Sequence, residues 1–106
     1  MGIQLEKVKS YISYKHLYID EDGTQVIFLG YDMCATKTER AIIEVLVKNP
    51  NNPISAEDII SSIGIEMGRE NLVFHISGIN KKARAIGNRP LIKNINKIGY
   101  FLNEEM

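Results

Sequence analysis

The chain has 106 residues, enough for one domain with a modest core, and its 44% hydrophobic and 25% charged residues argue against disorder. Its single cysteine, Cys34, cannot close an internal disulfide, and no apolar run reaches the length of a membrane span or a signal peptide, so a reducing cytoplasm is expected. Net charge is zero but unevenly placed: residues 1–68 carry six Lys/Arg against ten Asp/Glu, residues 69–98 carry seven against Glu70 alone, and the last eight add Glu104 and Glu105.

The N-terminal segment, residues 1–13, is weakly defined, with Ile3, Leu5, Val8 and Ile12 fitting either a short strand or a helical turn. Tyr14 to Ile19 and Gln25 to Leu29 are rich in β-branched and aromatic residues and flank Asp20-Glu21-Asp22-Gly23, which predicts a β-hairpin. Gly30 breaks its second strand, and Tyr31 to Cys34 fit a third short one.

Thr36-Lys37-Thr38-Glu39 has the spacing of a capping box, and Ile42, Ile43, Leu46 and Val47 follow with helical periodicity, predicting a helix from Lys37 to about Lys48. Asn49-Pro50-Asn51-Asn52-Pro53 ends it. Ser55 is the expected N-cap of a second, short helix with Glu57 and Asp58 in its first turn, Ile59, Ile60 and Ile63 on its apolar face and Gly64 at its end.

After a connector from Ile65 to Gly68, Arg69 to Ile86 predicts the third helix. With Leu72 set at zero and about 100° per residue, Ile76, Ile79, Ala83 and Ile86 fall within about 40° of it and form a buried stripe. Val73, Arg84, Ser77 and Lys81 lie on the far side, between about 100° and 180°. Gly87 suits the C′ position and Pro90 prevents continuation. Leu91 to Ile95 and Ile98 to Leu102 then predict a second hairpin about Asn96-Lys97, with residues 103–106 as a frayed tail.

The predicted fold is α+β: an N-terminal antiparallel sheet, three helices and a C-terminal β-hairpin, all in one domain spanning residues 1–106. Two short helices joined by a turn and followed by a basic hairpin make a winged helix-turn-helix. The ordered set Thr36-Lys37-Thr38-Glu39, Ile42-Ile43-Glu44-Val45-Leu46, Asn49-Pro50, Ser55-Ala56-Glu57-Asp58-Ile59, His75-Ile76-Ser77, Lys81-Lys82, Ile92-Lys93-Asn94-Ile95 and Ile98-Gly99-Tyr100-Phe101-Leu102 resembles the OmpR/PhoB-type winged-helix effector domain. That domain is the C-terminal half of many bacterial two-component response regulators.

The resemblance implies a transcription regulator that binds double-stranded DNA, with the third helix in the major groove, the wing at the adjacent minor groove, and two copies paired on direct repeats. It also implies a connector between the second and third helices that can touch RNA polymerase. Here that connector is several residues short and lacks the usual tryptophan. Where many members place arginines on the recognition helix, this chain has Ser77, Gly78 and Asn80, and the wing tip has Asn96-Lys97 in place of Arg-Gly.

Residue chemistry nominates Lys81 and Arg84 for phosphate, Asn80 for adenine, and Arg69 for phosphate beside the third helix's N-terminus. Ser77 faces the same way, Val73 and Phe74 suit either a thymine methyl group or packing against the sheet or a partner protein, and Lys93, Asn94, Asn96 and Lys97 form the wing's contact set. The alternative is a winged-helix protein-interaction module that presents Val73, Phe74 and Gly78 to a protein. No clustered Cys/His spacing, glycine-rich phosphate loop or nucleophile motif is present, so neither a metal, a cofactor nor catalysis is expected.

Overall fold

The computed structural model describes residues 11–20 and 25–104. It begins with a four-stranded antiparallel sheet in the order β1 (Tyr11–Tyr14), β2 (Leu17–Asp20), β3 (Val26–Phe28) and β4 (Tyr31–Asp32). The run Tyr14 to Ile19, expected as one strand, is broken at Lys15-His16, where Lys15 takes φ 54° and Tyr14 pairs with Leu17. No Gly, Asn or Pro marks that turn. Thus β1 occupies a segment that sequence periodicity leaves undefined.

The Asp22-Gly23 turn lies outside the described residues; on either side of it β2 and β3 pair antiparallel, with Leu17 opposite Phe28 and Ile19 opposite Val26. Leu29 (φ 52°) and Gly30 (φ 84°) both lie in the left-handed region, giving the two-residue turn whose twist suits a hairpin between β3 and β4. Leu17, Ile19, Val26 and Phe28 point to one buried face.

Three helices follow, α1 (Lys37–Val47), α2 (Ala56–Ile63) and α3 (Arg69–Gly87); α1 packs against β1, the end of α3 reaches Phe28 and Leu29, and α2 packs against the other two helices. The capping box forms as its spacing predicts, with the Glu39 N–H donating to Thr36 Oγ1 at 3.2 Å and the Thr36 N–H to Glu39 Oε1 at 2.9 Å. Ser55 Oγ accepts from the Asp58 N–H at 3.1 Å, and Gly64 closes α2 at φ 69°. The core joins Ile42, Ile43, Leu46 and Val47 of α1 with Ile59 of α2 and the α3 stripe of Leu72, Ile76, Ile79 and Ala83.

At the end of α3 the left-handed residue is Asn88 (φ 62°), not Gly87, which is still helical. Gly87 instead lies close to the sheet: a Cβ there would stand 2.7 Å from Leu29 Cδ1, at the end of an exposed side chain, and 3.3 Å from Phe28 Cε2. The chain ends in a hairpin of β5 (Ile92–Ile95) and β6 (Gly99–Leu102). Its register differs by one residue from expectation. Ile95 pairs with Gly99, the Ile98 N–H donates to the Ile95 carbonyl at 3.0 Å, and Lys97 carries φ 64°. Ile98 therefore leaves the ladder and projects from the tip.

Tyr100 exchanges two 2.8 Å backbone hydrogen bonds with Ile54, fastening the hairpin to the chain entering α2. Nor is Asn103 frayed. It is buried, its N–H donates to the Leu91 carbonyl at 2.8 Å and its Nδ2 to the Pro90 carbonyl at 2.9 Å. Among the described residues no helix is long and apolar enough to cross a membrane.

Candidate nucleic-acid interface

The helix-turn-helix and the hairpin meet at a cleft of about 420 Å³. Arg69, Glu70 and Val73 line it from α3, Ser55, Ala56 and Glu57 from the start of α2, and Asn94, Asn96, Lys97, Ile98 and Tyr100 from the wing. Five residues singled out in the sequence, Arg69, Val73, Asn94, Asn96 and Lys97, are thus brought to one place by elements far apart in the chain. The bridge at Ile54 and Tyr100 makes this possible, because it holds the wing against the beginning of α2.

Ser77, Lys81 and Arg84 do not line the cleft; they carry the exposed face of α3 beyond it, and Lys93 is exposed on β5. Arg69 is engaged with a neighbour, its Nε 3.0 Å from Glu57 Oε2. Both side chains are well exposed, so that ion pair contributes little stability and can be exchanged for a phosphate.

Asn80 departs from its expected role. Its Oδ1 accepts from the backbone N–H groups of Leu91 and Ile92 at 3.0 and 2.8 Å, and its Nδ2 donates to the Ile92 carbonyl at 2.9 Å. The amide that chemistry would pair with adenine is spent on joining α3 to β5, and it leaves the interface.

On the other flank of α3, Gly78 has a reason that periodicity does not show. A Cβ there would lie 2.7 Å from Oε2 of the buried Glu39, whose Oε1 also accepts from Lys82 Nζ at 2.6 Å. Lys82 further donates to the Cys34 carbonyl at 3.0 Å. The roughly 1 kcal/mol that glycine costs inside a helix is offset by letting this carboxylate approach the α3 backbone while it caps α1.

Of two further exposed apolar residues, Phe74 is expected from the sequence and Ile98 is not. Ile98 is 58% exposed and lines the cleft as a result of the wing's register, which the hydrophobic alternation alone does not fix. Phe74 is 74% exposed, more than any other large apolar residue among those described. Its position at about 200° from the buried stripe was the available signal. Among the described residues no group of three or more His, Cys, Asp or Glu side chains could hold a metal.

A short helix, a turn, a longer helix with an open face and a β-hairpin fastened beside it define a winged helix-turn-helix. Residues 31–102 match the family model described as "Transcriptional regulatory protein, C terminal", and the chain belongs to this family of OmpR/PhoB-type effector domains. By that description it is the C-terminal module of a transcriptional regulatory protein.

Among curated proteins it is 28% identical over 99 residues to the response regulator ArlR of Staphylococcus saprophyticus, covering 91% of this chain but 45% of that protein. The chain therefore spans about half the length of that relative. Among solved structures, the C-terminal effector domain of BfmR from Acinetobacter baumannii is 28% identical with a TM-score of 0.68, over 91% of this chain and 92% of that one. The DNA-binding domain of the response regulator AdeR, solved in complex with an intercistronic region, superposes with a TM-score of 0.78 at 23% identity, over 87% of this chain and 97% of that one. At that identity the likeness shows the fold.

Proposed function

We propose that this domain binds duplex DNA with α3 in the major groove and the wing tip at the adjacent minor groove. The observation that carries the reading is the cleft, which sets Arg69 and Val73 of α3 opposite Asn94, Asn96 and Lys97 of the wing. Lys81 and Arg84 supply phosphate contacts along α3, Lys93 and Lys97 supply them along the wing, and Ser77 faces the base edges. The AdeR domain's complex with DNA supports the same use of a shared fold.

Two copies side by side on direct repeats complete the proposal on the strength of the family, whereas the short connector of residues 65–68, without the family's tryptophan, gives a polymerase contact no support. In a bacterial cell such a regulator meets its DNA in the cytoplasm, which is where this reading places the domain.

The test is a titration of mixed-sequence duplex DNA at low salt with wild type, Lys81→Glu and Lys97→Glu. Both side chains are exposed, so the fold tolerates the changes. Each reversal is expected to weaken binding about tenfold or more, having removed one phosphate contact and added a repulsion. Unchanged affinity in both variants, or no binding by wild type, would remove the DNA reading.

A further inference from the structure

We propose that α3 reads thymine, through contact of Phe74 and Val73 with C5-methyl groups in the major groove. This inference rests on the DNA-binding reading above. The open face of α3, between about 100° and 200° from Leu72, carries Glu70, Val73, Phe74, Ser77, Lys81 and Arg84 in chain order. In a helix-turn-helix the N-terminal part of the recognition helix meets the base edges. On that face the turn between Glu70 and Ser77 offers the groove two apolar side chains, Val73 at 50% and Phe74 at 74% exposure, with the exposed Asn71 outside the face at about 260°.

The amide on α3 that the sequence nominates for adenine, Asn80, is committed to the backbone of Leu91 and Ile92. Lys81 and Arg84 lie in the C-terminal half of the helix. The ring of Phe74 is held edge-on to His75, with centroids 5.8 Å apart. It stands clear of the core cluster. Of the four bases only thymine presents an apolar group in the major groove, so an apolar reading turn selects thymine.

The surrounding charge favours a nucleic acid over an apolar protein partner on this patch. Residues 69–98 hold seven Lys/Arg and one acid, and Arg69, Lys81, Arg84, Lys93 and Lys97 are all exposed. A polyanion that also offers methyl groups satisfies both features at once.

The full chain is used to select its preferred duplex from a randomised pool at low salt, and each thymine of that site is then replaced singly by deoxyuridine, which removes only the methyl. One or two positions are expected to lose about fourfold in affinity, the worth of one buried methyl. Phe74→Ala should weaken binding to the thymine site by a similar or larger factor and abolish the difference between thymine and uracil at one of them.

Duplex binding that is indifferent to every thymine-to-uracil change would overturn the inference while leaving DNA binding intact. So would a pool that yields no preferred site, or a Phe74→Ala variant that keeps the full methyl dependence along with a Val73→Ala variant that does the same. Wild type that binds no duplex at all overturns the DNA reading together with this one. The uracil series on wild type is independent of whether either variant folds.

Discussion

Gly99 stands where β6 runs closest to the chain entering α2. A Cβ at this position would lie 2.4 Å from the Ile54 carbonyl oxygen and 2.6 Å from its carbon, both backbone atoms that cannot swing aside, and φ is 156°. The glycine in Ile98-Gly99-Tyr100 is thus a packing requirement, and Tyr100 is the residue whose backbone closes the bridge to Ile54. Gly99→Ala is expected to cost about 2 kcal/mol or more, because the wing must move off the helix-turn-helix to admit a methyl. Thermal unfolding measures it; a midpoint equal to that of wild type would show that the contact is relaxed in solution. DNA binding by Gly99→Ala should weaken further than stability alone explains, since the cleft depends on that bridge.

At the level of elements, helices were more legible than turns, for a physical reason. Helix ends announce themselves through side chains that replace missing backbone partners, as Thr36, Glu39 and Ser55 do here, or through a glycine that takes the left-handed conformation, as Gly64 does. Thr36→Ala should lower stability by about 1 kcal/mol, read as a shift in urea midpoint with an unchanged slope. No shift would mean that Lys82 alone fixes Glu39. Tight turns at Lys15-His16 and Leu29-Gly30 adopt positive φ at residues that carry side chains, so composition marks the second only through its glycine and the first not at all.

The wing's register depended on one residue, Ile98, that reads as a strand position and sits in a turn. In the candidate interface, exposed positions on α3 followed from periodicity. Asn80 did not, because an asparagine that reads a base and one that clips a backbone are identical in sequence.

Across the whole molecule the zero net charge conceals a polarity: the N-terminal sheet and first two helices are acidic in sum and the segment from Arg69 to Ile98 is basic. Binding to DNA should therefore be orientation-specific and salt-sensitive. With Lys81, Arg84, Lys93 and Lys97 as the phosphate contacts, the logarithm of the association constant should fall with the logarithm of salt at a slope of roughly −3 to −4. A slope near zero, from the same duplex titrated between low and moderate salt, would count against this set of contacts.

The pinning of α3 on both flanks has a further meaning for how such a domain can change its target. Asn80 clamps one side of the helix to β5, while Glu39 and Lys82 meet across Gly78 on the other. Rolling α3 about its axis would break both attachments at once, so the helix behaves as a fixed print head whose type can be exchanged. New specificities are open to this scaffold by substitution at positions 73, 74, 77 and 81 without retuning the fold, whereas substitution at 78 or 80 would alter the mounting itself.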